Sequence, residues 1–163
     1  MIIAIDGPAG AGKGTIAVYL AGHFGFTYLD TGILYRALAH EALERSVDTE
    51  DESAIIALAA SLTVQQAMGK GDALRGEEVA AVASRIAVIG EVRALLTQMQ
   101  RDFGNNVSLP YKGAILDGRD IGTVIYPNAT CKLFNTASPE IRLKRRLLES
   151  GDAKREQFRQ ALY

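Results

Sequence analysis

The chain has 163 residues, of which 48% are hydrophobic and 23% charged, a composition typical of one globular domain with its own core. Its formal net charge of −1 provides no overall positive field for nucleic acid or an anionic membrane, so any anion site must be local. The one cysteine, Cys131, excludes an intrachain disulfide and a cysteine-rich metal centre, and its apolar surroundings indicate a small core residue.

The chain begins with an apolar, β-prone run over residues 2–5, then a glycine-rich loop, then a helical pattern over residues 15–24. The loop has the phosphate-binding spacing Gly-x-x-x-x-Gly-Lys. Glycines let backbone N–H groups turn toward phosphate oxygens, and the helix adds its positive N-terminal end. A loop without a ligand is the alternative, but the strand and helix around it favour a nucleotide-phosphate site. Its predicted residues are Gly7, Gly10, Ala11, Gly12, Lys13, Gly14 and Thr15.

Two positions of this loop predict specific chemistry. Lys13 would place its ammonium on the β- and γ-phosphates of a nucleotide. Gly14 stands where a serine or threonine usually follows that lysine. The hydroxyl nearest Mg²⁺ is therefore predicted to be that of Thr15.

The remaining pattern alternates strands with helices. Short apolar runs at 26–29, 114–116 and 131–135 predict three more strands, covered on both faces because they lack polar alternation. Helical patterns cover 32–45, 50–62, 77–103 and 139–149, with the third divided near Gly90, and residues 105–113 predict a loop. This order predicts a three-layer α/β/α sandwich around a parallel sheet.

Polar signatures follow three of these strands: Asp6-Gly7, Asp30-Thr31-Gly32 and Asp117-Gly118-Arg119-Asp120. Ligands of parallel α/β sheets gather at the carboxyl ends of the strands. If the sheet is parallel, all three signatures meet at one edge.

Four segments, at 7–15, 29–36, 79–93 and 117–123, occur in an order that resembles the bacterial cytidylate kinase family of P-loop nucleoside monophosphate kinases. The first two also occur in adenylate kinases. The motif Asp117-Gly118-Arg119-Asp120-x-Gly, with Ser84 and Arg93 upstream, carries the resemblance to cytidylate kinases. The resemblance covers residues 1 to about 150.

The resemblance implies roles for the acceptor residues. Asp30 and Thr31 would lie near the acceptor nucleotide, Arg36 and Arg119 would hold its phosphate, and its cytosine would be read by Ser84, Arg93 and Asp120. The chemistry agrees, because cytosine presents an amino donor at N4, which suits a carboxylate, and acceptors at N3 and O2, which suit a guanidinium. The alternatives are an Arg119–Asp120 surface ion pair and solvated residues on helices.

These observations predict transfer of a phosphoryl group from ATP to CMP or dCMP, with Mg²⁺ as cofactor. Lys13, Arg119 and Asp117 are the predicted catalytic residues, and Thr15 the predicted metal contact. Asp117 would bind the metal through water or orient the acceptor phosphate. The alternatives are another small-molecule or nucleoside monophosphate kinase of this fold, or a nucleotide-binding module without turnover.

We expect one P-loop kinase domain over 1–163, with an acceptor-nucleotide-binding insertion at about 31–112. No apolar run approaches the ~18–20 residues of a membrane span, and the phosphate loop at the N-terminus leaves no room for a signal peptide. We therefore expect a cytoplasmic monomer whose partners are small nucleotides, with no nucleic acid polymer and no membrane.

The chain departs from the family pattern in two places. Residues 63–75 are shorter than the strand-rich insertion of the family. The family also continues through an arginine-rich lid, which Arg155 and Arg159 alone could approximate before the sequence ends at Tyr163.

Overall fold

The computed structural model describes residues 1–149 and contains a four-stranded sheet, all of whose described pairings are parallel. The strands are β1 (Ile2–Asp6), β2 (Thr27–Asp30), β3 (Ala114–Gly118) and β4 (Cys131–Phe134), in the spatial order β2-β3-β1-β4. In this register Asp6 lies opposite Gly118, and Asp30 lies opposite Asp117. The three polar signatures therefore meet at one edge, as the sequence predicts.

Seven helices surround the sheet in the described part of the chain. They are α1 (Lys13–Phe24), α2 (Gly32–Glu44), α3 (Glu52–Ser61), α4 (Val64–Gly69), α5 (Glu77–Ile86), α6 (Gly90–Asn105) and α7 (Pro139–Glu149). A 3₁₀ turn at Gly71–Arg75 follows α4, and a π-helical turn at Ile121–Ile125 follows β3. The predicted division at Gly90 is confirmed, whereas α4 and the two turns are not among the predicted elements. No helix within residues 1–149 is long and apolar enough to cross a membrane.

Two hydrophobic clusters cover the two faces of the sheet. Along β1, Ile3 and Ile5 join one cluster with Ala17 of α1, while Ala4 joins the other. The second cluster is larger and includes fully buried side chains of four helices: Leu34 and Leu38 of α2, Ile55 of α3, Ile86 of α5 and Leu96 of α6. Alternate strand residues thus face opposite helical layers. The predicted three-layer α/β fold is confirmed.

The prediction that all strands are covered on both faces is wrong for β4. Leu133 is 38% and Phe134 73% exposed, and Cys131 is only partly buried rather than a core residue. Among the described strands β4 is at the edge, paired with β1 alone. A short apolar run does not distinguish an edge strand from a central one, because its composition is the same in both places.

Candidate active site

A cleft with a volume of about 1220 Å³ opens at the carboxyl ends of the strands. It brings together every predicted site residue except Gly7: Gly10, Ala11, Gly12, Lys13, Gly14, Thr15, Asp30, Thr31, Arg36, Ser84, Arg93, Asp117, Arg119 and Asp120. Gly7 lies at the end of β1 against the carbonyl oxygen of Asn135, so a side chain there would collide with the backbone.

The phosphate loop joins β1 to α1 through backbone conformations that favour glycine. Gly10 and Gly12 have φ angles of 74° and 94°, which residues other than glycine rarely adopt. The Lys13 ammonium donates to the Pro8 carbonyl oxygen at 3.3 Å. An ammonium has three donors, so this bond leaves capacity for phosphate oxygens. The loop thus presents a cation and the N-terminus of α1 to the same region of the cleft.

Side chains that follow β1's neighbouring strand, β4, hold this loop in place. Asn135, directly after β4, donates its amide to the Ala11 carbonyl oxygen at 3.0 Å. Arg145 of α7 donates to the carbonyl oxygens of Gly10 and Ala11, at 3.2 and 2.8 Å. These bonds engage the carbonyl oxygens of the loop and leave its backbone N–H groups to other partners.

A buried carboxylate, Asp117, lies beneath the phosphate loop at the end of β3. Its Oδ2 accepts from the Tyr28 hydroxyl at 3.1 Å, and its backbone carbonyl accepts from the Thr31 hydroxyl at 2.7 Å. Burial, with the nearby Asp30 charge adding to it, raises the pKa of Asp117 to about 6, while Lys13 opposes the shift. The site therefore holds negative charge that a further cation would stabilise.

Asp6 organises the segment that follows β3. Its two carboxylate oxygens accept from the backbone N–H groups of Ile121 and Gly122, both at 2.7 Å, and Asp6 is only 8% exposed. Arg119 and Asp120 immediately precede these two residues. The carboxylate at the end of β1 thereby positions the Arg119-Asp120 segment at the cleft.

Two ion pairs line the cleft. Arg36 of α2 contacts Asp30 at 2.8 Å, and Arg93 of α6 contacts Asp120 at 3.2 Å. Arg119 lines the cleft, is exposed, and forms no ion pair with any described residue. Asp120 thus pairs with Arg93 rather than with its neighbour Arg119, contrary to the alternative of an Arg119–Asp120 pair.

The wall beside these pairs is formed by α2 and α5. Tyr35 of α2 lines the cleft, and burial raises the pKa of its phenol. Ser84 of α5 also lines the cleft, and its hydroxyl donates to the Ala80 carbonyl oxygen at 2.9 Å within the same helix. A serine bonded in this way keeps its lone pairs as acceptors.

The sequence analysis missed Tyr35, Asn135 and Arg145, which line this cleft, and Tyr28, which donates to the carboxylate of Asp117. Asn135 follows the fourth strand, so the strand-end rule that selected Asp6, Asp30 and Asp117 could have found it. Nothing in the local pattern distinguishes Arg145 from the other basic residues of α7. Arg155 and Arg159, the lid candidates, lie outside the described residues.

The residues at the phosphate loop suit a hard divalent cation. Magnesium in phosphoryl-transfer sites takes one or two protein oxygens and completes its shell with water and phosphate. The buried Asp117 carboxylate and the Thr15 hydroxyl, both of which line the cleft, meet that requirement. No cluster of three or more His, Cys, Asp or Glu side chains occurs in the described residues, so a metal cage built by the protein alone is absent from that part.

Comparison with known proteins gives consistent matches. A family model described as cytidylate kinase matches residues 3–162. The cytidylate kinase of Methylocella silvestris is 53% identical over 149 residues, which cover 91% of this chain and 66% of that protein. The cytidylate kinase of Acidiphilium cryptum is 50% identical over 149 residues, which cover 91% of this chain and 67% of that protein. The cytidylate kinase of Pasteurella multocida is 46% identical over 158 residues, which cover 90% of this chain and 67% of that protein. The chain thus spans about two thirds of the length of these curated relatives.

Proposed function

The chain belongs to the cytidylate kinase family, and from this membership we propose that it transfers the γ-phosphoryl group of ATP to CMP and dCMP. The observation that carries the proposal is one cleft that is lined both by the phosphate loop and by the Arg93–Asp120 pair. A guanidinium beside a carboxylate complements the N3, O2 and N4 groups of cytosine. The name of the relatives agrees with this chemistry.

At the donor end, Lys13 and the loop N–H groups would bind the phosphates of ATP, with the N-terminus of α1 contributing its dipole. Mg²⁺, when bound, would supply positive charge to the phosphates of ATP, and Thr15 and Asp117 are the residues that would hold it. Asn135 and Arg145 would act indirectly, because they hold the loop through its carbonyls.

At the acceptor end, Arg36 and Arg119 would neutralise the phosphate of the monophosphate as it approaches ATP. Asp30 holds the Arg36 guanidinium through one nitrogen, which leaves other donors of the fork for phosphate oxygens. Such a reaction needs positioning and charge stabilisation and no covalent enzyme intermediate. We assign residues 31–112, which include Arg36, Ser84 and Arg93, to acceptor binding.

The test is an ADP-release assay with CMP, dCMP, UMP, AMP and shikimate as acceptors, run beside a calorimetric measurement of ATP binding. We expect CMP and dCMP to give the highest kcat/KM. Lys13→Ala should abolish ADP release without lowering Tm, whereas Lys112→Ala, an exposed lysine outside the cleft, should change neither. AMP or shikimate as the best acceptor would indicate another kinase, and ATP binding without ADP release would indicate a module without turnover.

We further propose that the chain acts as a monomer in the cytoplasm, on small nucleotides alone. Light scattering at several protein concentrations tests whether the chain is a monomer. A mass that rises to that of a dimer at micromolar protein would contradict it.

A further inference from the structure

The Tyr28 hydroxyl lies between the phosphate loop and the buried carboxylate of Asp117. It donates to Asp117 Oδ2 at 3.1 Å. A Cβ placed on Gly14 would lie 3.4 Å from this hydroxyl and 3.7 Å from the same carboxylate oxygen. A side chain at position 14 and the phenol of Tyr28 would therefore reach the same small volume.

Position 14 is also where phosphate loops usually carry a serine or threonine, whose hydroxyl faces the metal. From the volume that Tyr28 and position 14 share, we propose that Tyr28 is a positioning residue: its hydroxyl reaches from β2 into the space that a serine side chain at position 14 would enter, and it acts through Asp117 rather than on the metal itself. Its phenol holds the Asp117 carboxylate in the orientation that serves the metal and phosphates. This inference rests on the proposed function, because it concerns the same nucleotide site.

The surroundings of Tyr28 suit this role. Its ring packs partly buried against the cluster formed by Ile3, Ile5, Ala17, Phe26 and Ile115, so the hydroxyl is presented by a stiff, anchored side chain. Burial and the nearby carboxylates of Asp117 and Asp30 raise the pKa of its phenol, so it stays a donor at neutral pH. Among the described residues, Tyr28 is the one side-chain donor hydrogen-bonded to the Asp117 carboxylate.

The first experiment removes the hydroxyl and keeps the ring. Affinity for a non-hydrolysable ATP analogue is measured by calorimetry with excess Mg²⁺ and again with EDTA. For Tyr28→Phe we expect about a ten- to 150-fold loss with Mg²⁺, the size of one hydrogen bond to a carboxylate, and no change with EDTA. The control is Tyr19→Phe, at an exposed tyrosine of α1, which should change neither value. Unaltered Mg²⁺-dependent affinity in Tyr28→Phe, or an equal loss in EDTA, overturns the proposal.

The second experiment moves the hydroxyl. Gly14 has an ordinary helical backbone in α1, so Gly14→Ser introduces no backbone strain, and in the Tyr28→Phe background the space beside it is free. We expect the double variant to regain at least half of the lost Mg²⁺-dependent affinity, whereas Gly14→Ser alone gains nothing because the phenol already occupies that space. A correctly folded double variant that binds no better than Tyr28→Phe contradicts the proposal.

Both readouts are independent of phosphoryl transfer. If the chain binds the Mg²⁺–ATP analogue but phosphorylates no acceptor, the proposed function fails while the comparison at Tyr28 still decides the inference. If the unaltered chain shows no Mg²⁺-dependent binding, the inference is wrong.

Discussion

Asp6→Asn tests how far one buried carboxylate organises the acceptor side of the cleft. The substitution keeps the size of the side chain but removes its charge and one of its two acceptor oxygens. In the structure the two oxygens accept from Ile121 N–H and Gly122 N–H, both at 2.7 Å. An asparagine can satisfy one of these donors, and its own NH₂ group must then face the other.

The expected loss follows from burial and from the charge on the acceptor. A hydrogen bond to a charged group contributes about 1.5–3 kcal/mol, and a buried donor left without an acceptor costs about 1–3 kcal/mol. Asp6 is 8% exposed, so water offers little replacement. We expect the free energy of unfolding to fall by about 2–4 kcal/mol. Because Arg119 and Asp120 precede the displaced N–H groups, KM for CMP should rise several-fold, with ATP affinity changing less.

Urea unfolding of the purified chain measures the free energy of unfolding. Steady-state kinetics measure KM for CMP, and calorimetry measures the affinity for ATP. Asp72→Asn is the matched control, since Asp72 is 89% exposed in a surface pair with Arg75 and should change stability by less than about 0.5 kcal/mol. A loss below about 1 kcal/mol for Asp6→Asn would refute the reasoning from burial. A larger effect on ATP than on CMP would refute the positioning of the Arg119-Asp120 segment.

Three further predictions concern the cleft. Arg36→Lys and Arg119→Lys keep the charge but lose the planar guanidinium, so each variant should have a higher KM for CMP and a lower kcat. A large loss of ATP affinity, measured without CMP, would instead indicate that these arginines bind the donor nucleotide. Asp120→Ala removes the proposed acceptor for the amino group of cytosine and should weaken CMP binding by about 1–3 kcal/mol, whereas equal weakening of ATP binding in calorimetry would contradict a base-reading role. Asp117 has a folded-state pKa of about 6 against an ordinary 3.8, so its proton is bound more tightly in the folded chain. The free energy of unfolding without nucleotide should therefore fall as the pH rises from about 4 to about 6, by at most about 3 kcal/mol. Asp117→Asn should remove this pH dependence, and an unchanged pH dependence in that variant would argue against the raised pKa.

Local patterns predicted the helices and strands best where glycine, proline or a capping residue marks their boundaries. The glycines of the phosphate loop, Gly90, and the Ser138-Pro139-Glu140 start of α7 all mark boundaries that the structure has. The helix α4 was missed, although its sequence carries a capping signature. Thr63 and Gln66 form a reciprocal capping box, with the Thr63 N–H donating to Gln66 at 2.9 Å and the Gln66 N–H donating to Thr63 at 3.2 Å. The sequence therefore does carry the start signal of this helix.

The sequence by itself determined the family, the parallel α/β architecture and most of the charged side chains that line the cleft. Each of these follows from short-range chemistry: a loop spacing that fits phosphate, apolar runs that predict strands, and polar residues where strands end. Only the tertiary structure decided which of these side chains pair. Asp30 with Arg36, Asp120 with Arg93, Asp6 with the Ile121 and Gly122 N–H groups, and Tyr28 with Asp117 are contacts between different elements. Such contacts depend on strand order, register and helix packing, which bring distant residues within about 3 Å of one another, and no local pattern in the sequence encodes that distance.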